Sequence, residues 1–219
     1  MRPSPLILND ATKHYCHDQD KIMAPEQTVQ NFKARLAENR LDILDDIVRI
    51  DNGRLGIPVY FSICGPQARE TIGNYKQMGK GATPAQAQAS AVMELGERFS
   101  LFSFVQNSKN FIVGTQKALG EPTMDFAQIA RSVTDDTSDD LSILEGFFSE
   151  MPLQWTWAHD LTNGRTVLIP FNWFWTINEF NGASAGNCTE EALCQGICEV
   201  VERHVCALVS RRKMEVPRI

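Results

Sequence analysis

The chain has 219 residues, 43% of them hydrophobic and 22% charged, with a formal net charge of −6 at neutral pH. That is the make-up of an ordinary globular protein, long enough for one domain with a real core or for two small ones. The acidic balance excludes a broad nucleic-acid face, which needs clustered Lys and Arg, while leaving room for a local anion site. No apolar run approaches the roughly 20 residues of a membrane span, and Met1-Arg2-Pro3-Ser4-Pro5 opens no signal-peptide core. A cytoplasmic protein with no membrane and no direct nucleic-acid partner is therefore expected.

Residues 1–20 are polar and unpatterned and read as an irregular arm. His14, Cys16 and His17 lack a second ligand pair at zinc spacing. Pro25, followed by Val29, Phe32 and Leu36, predicts a helix over about 25 to 39. Residues 42–67 read as strands, one through Ile47–Ile50, a turn at Asp51-Asn52-Gly53, and a second through Ile57–Ile63. Pro58 places that second strand at an edge, or marks its start. Residues 84–105 predict a long helix. Over 106–150 polar and apolar pieces alternate, and the acidic Thr134–Asp140 reads as a solvated loop or helix start. Trp155–His159 and Thr166–Ile169 flank Asn163-Gly164, a hairpin signal. Phe171–Trp175 is a dense aromatic patch, suited to a core or a dimer surface. Residues 189–210 predict a second long helix. No CxxC pair occurs among the six cysteines, which are expected to be reduced, with Cys194 and Cys198 forming one buried helical stripe.

The chain matches itself at an offset of 105 residues. Gly81 then faces Gly186, Ala87 faces Ala192, Glu94 faces Glu199, Glu97 faces Glu202 and Arg98 faces Arg203. Each copy has a Gly-containing loop, a helix start and a Glu-x-x-Glu-Arg on the third turn. Thr83 as N-cap, Pro84 at N1 and Gln86 at N3 spell a capping box in the first copy. In the second, Asn187 or Thr189 is placed to cap, with Glu190 and Glu191 in the first turn.

From Pro84 to Val105 the only charged residues are Glu94, Glu97 and Arg98. A helix so poor in charge is expected to be largely buried. Two carboxylates three apart on such a helix repel unless a cation or a proton sits between them. Glu94, Glu97, Glu199 and Glu202 together would offer the hard oxygens that Mg²⁺ prefers. A plainer reading takes Glu94–Arg98 and Glu199–Arg203 as i, i+4 surface pairs. Two copies at a constant offset, each behind a Gly loop, favour the metal reading. A third reading, a hydrolase using two carboxylates as acid and base, does not call for the repeated motif.

Ser90-x-x-x-Glu94-x-x-Glu97-Arg98 and Ser184-Ala185-Gly186-Asn187-x-x-x-Glu191-x-x-x-Gln195-x-x-x-Glu199-x-x-Glu202-Arg203 resemble the ATP-binding motifs of YcaO proteins. Gly79-Lys80-Gly81-Ala82-Thr83 resembles the loop before the first motif. Lys21 and Thr28 resemble the Lys and Ser through which the N-terminal helix of that family touches nucleotide. The Asn-Gly-Ala-Ser-Ala-Gly-Asn stretch looks most like the stand-alone bacterial branch linked to methylthiolation of ribosomal protein S12. The resemblance implies an α/β (α+β) ATP-binding fold with a pseudo-repeat of strands and a Glu-bearing helix and no P-loop. It implies ATP and Mg²⁺ as cofactors, with Glu94, Glu97, Glu199 and Glu202 at the metal. Lys21, Thr28, Ser90, Arg98, Ser184, Asn187, Glu191, Gln195 and Arg203 would then serve the nucleotide. Family members phosphorylate the oxygen of a backbone amide after a nucleophile adds, giving an azoline, thioamide or amidine. The expected partners are a peptide or protein substrate, an accessory protein and a second copy of the chain. YcaO domains continue beyond the second Glu-x-x-Glu-Arg helix. Residues 21–219 are therefore expected to form the N-terminal and central part of one such domain. A non-catalytic accessory or truncated remnant acting through protein contact is the alternative.

Overall fold

The computed structural model describes residues 2–16, 19–133 and 141–212. His17 and the acidic stretch Thr134–Asp140 lie outside them. The chain divides into two compact units. The larger is built from Leu8–Phe104 and the residues from Asn181 onward, the smaller from Val105–Phe180 and the described residues before Leu8.

In the larger unit, β1 (His14–Cys16) and β2 (Gln19–Lys21) form a short antiparallel ladder inside the arm expected to be irregular. Strands this short leave no readable alternation. Helix α1 (Pro25–Glu38) starts at Pro25, whose fixed φ suits N1 and whose missing N–H would have no partner there. β3 (Leu44–Arg49), β4 (Val59–Cys64) and β5 (Lys76–Lys80) form an antiparallel sheet in that order. Arg49 grips Asp51 through Nε and Nη2, at 2.8 and 3.1 Å, and Asp51 accepts the Val59 amide at 3.1 Å, closing the connection between β3 and β4. Pro58 precedes β4, the central strand, so it marks a strand start and not an edge. Helix α2 (Pro66–Ile72) is too short to show a helical period in the sequence. Helix α3 (Pro84–Gln106) begins with the predicted capping box, Gln86 N–H donating to Thr83 Oγ1 and Thr83 N–H to Gln86 Oε1, each at 3.2 Å. Its Ala87 and Ala91 pack with Tyr60, and its Leu95 joins Ile43, Cys64 and Ala68 in a fully buried cluster under Phe32 and Leu36.

In the smaller unit, β6 (Ile112–Gly114), β7 (Leu153–Asp160) and β8 (Arg165–Pro170) form a second antiparallel sheet. Helices α4 (Phe126–Ala130), α5 (Leu141–Glu150) and α6 (Phe171–Asn178) accompany it. The predicted hairpin is β7–β8, with Asp160 paired to Arg165 at its end. The aromatic patch becomes α6 and feeds a core, with Trp173 edge-on to Phe148 at 6.3 Å and Phe148 edge-on to Trp155 at 6.2 Å. Trp155 is fully buried and its Nε1–H donates to the Gly114 carbonyl at 2.9 Å. Trp155→Ala is expected to destabilise this unit by about 3–5 kcal/mol. Trp155→Phe, which keeps a ring but orphans the carbonyl, should cost about 1–3 kcal/mol. Urea midpoints check both, and equal losses would contradict the packing.

Helix α7 (Thr189–Arg212) belongs to the larger unit. Cys194 and Cys198 are exposed, as are Ile197, Val200, Val201 and Val205, against the expected buried stripe. The i, i+4 spacing fixes a shared face and does not say what covers it. Among the described residues nothing covers this one.

The repeat is structural as well as textual. Moved by the 105-residue offset, β4 falls on 164–169, α2 on 171–177 and the start of α3 on 189, beside β8, α6 and the start of α7. Tight backbone crossings repeat too. A Cβ at Gly79 would lie 2.1 Å from the Ala91 amide nitrogen. At the equivalent place the strand-side residue is Ser184, and the glycine is on the helix as Gly196, where a Cβ would meet Ser184 Oγ at 2.8 Å.

Candidate functional site

A cavity of about 620 Å³ lies within the larger unit, and both Glu-bearing helices line it. Of the residues singled out in the sequence, it brings together Lys21, Thr28, Ser90, Glu94, Glu97, Asn187, Glu191 and Gln195. Gly81 and Gly186, the matched loop glycines, face it as well.

One wall is a connected polar chain. Thr28 Oγ1, on the first turn of α1, donates to Asn187 Oδ1 at 2.9 Å. Asn187 donates its backbone N–H (3.3 Å) and Nδ2–H (3.1 Å) to Glu191 Oε1. The Ile22 amide donates to Glu191 Oε2 at 3.2 Å, and Lys21 Nζ lies 3.9 Å from Glu191 Oε1. The Glu191 side chain is only 4% exposed, so its charge is held by these donors and not by water. Glu191 stands one offset from Gln86, whose Oε1 accepts the Ala82 amide at 2.9 Å as Glu191 Oε1 accepts that of Asn187. It is a cap as much as a lining residue.

The facing wall carries Glu94 and Glu97 from α3. Arg98 Nη2 lies 2.9 Å from Glu94 Oε1 and 3.6 Å from Glu97 Oε1. The Glu97 side chain is 12% exposed. Burial first, then the neighbouring Glu94 charge, push its carboxyl up to about 7; Glu199 adds to this, against Arg98 and a hydrogen bond from the Ala185 backbone. On α7, Arg203 holds Glu199 at 2.8 Å, repeating the Arg98–Glu94 pair. The predicted four-carboxylate set is only partly assembled. Glu199 acts on Glu97 through its field but does not line the cavity, and Glu202 is exposed. No three His, Cys, Asp or Glu side chains among the described residues stand close enough to form a metal cluster by themselves. Arg98, Ser184 and Arg203 are also off the cavity wall. Ser184 Oγ instead donates to the Ala192 carbonyl at 2.6 Å.

The donor set suits magnesium, which is held by one or two carboxylates and leaves its other positions to water and phosphate oxygens. Glu94 and Glu97, whose burial and mutual repulsion push the Glu97 carboxyl up, provide such a half-shell. The cavity wall also includes Lys13, Lys80, Gln86 and Met93, none of which the sequence assigns to a ligand; Gln86 is expected only as a cap. Lys13 sits in the unpatterned arm, where nothing local marks it. Lys80 sits inside the Gly79–Thr83 loop, where the glycines carry the resemblance.

A family model for the YcaO cyclodehydratases, described as ATP- and Mg²⁺-binding, matches residues 78–219, which include both Glu-x-x-Glu-Arg helices. The chain belongs to the YcaO family. An uncharacterised protein of Methanothermobacter thermautotrophicus is 30% identical over 207 residues, covering 88% of this chain and 48% of that protein. The ribosomal protein S12 methylthiotransferase accessory factor YcaO of Escherichia coli K12 is 31% identical over 169 residues, covering 64% of this chain and 27% of its own length. The chain thus spans half or less of these curated relatives. The structure of YcaO from Methanopyrus kandleri bound with AMPPCP and Mg²⁺ superposes with a TM-score of 0.61 at 22% identity, over 93% of this chain and 51% of that one. The mixed helix and sheet architecture is that of YcaO structures. No described helix is long and apolar enough to cross a membrane.

Proposed function

We propose that this chain binds Mg·ATP in the cavity of its larger unit and serves ATP-dependent activation of peptide backbone amides. The observation that carries the reading is the convergence on one cavity of Glu94 and Glu97, of the Thr28–Asn187–Glu191–Lys21 chain, and of lysine side chains. Glu94 and Glu97 would hold the metal, with Glu199 adding its field at Glu97. Bound there, Mg²⁺ would neutralise the carboxylates and the phosphate charge together. Arg98 and Arg203 fix the carboxylates of Glu94 and Glu199 and so hold them in place. Thr28, Asn187 and Glu191 fix the start of α7 against α1, and Ser90 and Gln195 offer hydroxyl and amide groups from the facing helices. This is positioning and charge neutralisation, the protein's part in phosphoryl transfer generally. In the YcaO reaction a nucleophile adds to the amide carbon, the amide oxygen takes the terminal phosphoryl group and ADP leaves. Loss of phosphate then gives an azoline or thioamide. Support of ribosomal protein S12 methylthiolation, as the E. coli relative's name describes for that protein, is the narrower form of this role.

Isothermal titration with Mg·ATP tests the site. Glu94→Ala should weaken binding about ten-fold to a hundred-fold, as expected for loss of a charged contact of about 1.5–3 kcal/mol. Glu199→Ala, acting through the field on Glu97, should weaken it less. Equal binding by wild type and both variants would sink the metal assignment.

The exposed apolar face of α7 favours a second reading, a non-catalytic accessory acting through protein contact. Light scattering beside a phosphate-release assay separates the two. A stable oligomer or complex without ATP turnover supports the accessory role, and ATP turnover supports the enzyme.

A further inference from the structure

The two halves of the repeat line the cavity with different chemistry. At the 105-residue offset Ala89 matches Cys194 and Met93 matches Cys198, and all four line the cavity. Glu94 and Glu97 bring oxygen to it from α3, while α7 brings two thiols and keeps Glu199 and Glu202 off the wall. Cys194 and Cys198 are free and exposed, and neither forms a hydrogen bond or ion pair with a described residue. The other nearby sulfurs are committed. Cys188 Sγ accepts the Glu191 amide at 3.4 Å, and the Met23 thioether accepts from Asn31 Nδ2 at 3.1 Å. Met93, on the facing helix, has no such donor among the described residues. Residues four apart on a helix have Cβ atoms about 5–6 Å apart. That is too wide for a disulfide, which needs about 3.5–4.5 Å. It suits two thiolates on one ion, each sulfur at the roughly 2.3 Å of a metal–thiolate bond. Two thiolates and a thioether are soft donors, which select monovalent copper and leave Mg²⁺ to carboxylates and phosphates. Because the third donor is a thioether, the group is not a cluster of three His, Cys, Asp or Glu side chains.

We propose that Cys194, Cys198 and Met93 form a soft-metal site on the cavity wall, and that it takes monovalent copper. On binding, each thiol gives its proton to solvent and its sulfur lone pair to the ion, with no change of oxidation state. The site stands apart from the nucleotide reading, because copper and Mg²⁺ select different donors.

The test sets the full chain against a chromophoric copper(I) chelator, without oxygen and without nucleotide, and reads the copper it withdraws. Cys206, exposed on the same helix but off the cavity wall, supplies the control. Wild type should withdraw one copper ion per chain. Loss of a group that merely supports a metal ligand costs about ten-fold to a hundred-fold in affinity, so loss of a thiolate in Cys194→Ser or Cys198→Ser should cost about a hundred-fold or more. Met93→Leu, which keeps the volume and removes the sulfur, should cost about ten-fold. Cys206→Ser should stay within about two-fold of wild type, and circular dichroism should show the same helix content in all four variants. A loss in Cys206→Ser as large as in Cys194→Ser overturns the site, by showing adventitious binding to any exposed thiol. Wild-type affinity in Cys194→Ser, Cys198→Ser or Met93→Leu overturns the three-sulfur site. A wild-type chain that withdraws no copper overturns it outright and leaves the nucleotide reading untouched.

Discussion

Gly79→Ala should unfold the larger unit or bring it close to unfolding. The added methyl would lie 2.1 Å from the Ala91 nitrogen, 2.4 Å from the Ala87 oxygen and 2.7 Å from the Ala91 Cα. All three are backbone atoms of α3, so no rotamer change relieves them. Overpacking by one methyl usually costs about 1–3 kcal/mol, and backbone-to-backbone crowding belongs at or above the top of that range. Against a total stability of about 5–15 kcal/mol this is a large fraction. The second copy shows how the cost can be relieved, since there the strand side carries Ser184 and the helix side yields Gly196. Ala91→Gly removes a methyl and none of the three crowding atoms, so it recovers part of the Gly79→Ala loss only if strand and helix also shift to the spacing of the second copy, less about 1 kcal/mol for glycine inside a helix. Thermal unfolding of the single and double variants checks it. A double variant no better than Gly79→Ala would mean that the two crossings are not equivalent.

The metal-free chain should lose stability as pH rises from about 4.5 to about 7, and Mg²⁺ should reverse the trend. Glu97 has its folded carboxyl pushed up to about 7 from an ordinary 4.5. Between those values the folded state holds a proton that the unfolded state has released, so stability falls with rising pH. Below that window Glu97 is protonated in both states and above it ionised in both, so its own contribution is constant on either side. Integrated over the window the loss is about 3 kcal/mol at about 1.36 kcal/mol per unit. Asp51, Asp160 and Glu190 have carboxyls held below their usual range by hydrogen-bond donors, among them Arg49, Asn163 and the Asn9 amide. Their contributions are complete above the ordinary carboxylate range and vanish only in acid, so they do not cancel the Glu97 slope. Magnesium must displace the Glu97 proton, so its stabilising effect grows with pH through the same window. Glu97→Gln should flatten the metal-free curve and abolish the magnesium response. Denaturant titrations at pH 5, 6, 7 and 8 with and without Mg²⁺ read all of this, and an unchanged slope in Glu97→Gln would remove Glu97 as its source.

The long helices, the hairpin at Asn163-Gly164 and the family were legible because each had a local signature. Pro25, Pro84 and the Thr83/Gln86 box set two helix starts, and a fixed offset tied Glu94 to Glu199. Helix α2 and strand β5 were not legible, because seven residues carry no helical period and Gly79 in a strand reads as a break. The cavity was legible only in part. Thr28, Asn187 and Glu191 were named as separate nucleotide contacts, whereas the structure joins them into one hydrogen-bonded chain that also caps a helix. That distinction depends on who occupies each lone pair, and no sequence pattern reports it. The Cys194 and Cys198 stripe failed for a related reason. Spacing fixes a shared direction on a helix, while burial depends on what lies opposite.

The clasp centred on Glu191 also constrains when the cavity can exist. Glu191 receives the Ile22 amide across 169 residues of chain, and Asn187 receives Thr28 across 159. During synthesis at about 5–20 residues per second, the arm and α1 leave the ribosome on the order of ten seconds before the groups that secure them. The first Glu-bearing helix can fold early on local contacts with its own sheet. The cavity is completed late, when the second copy arrives to close it.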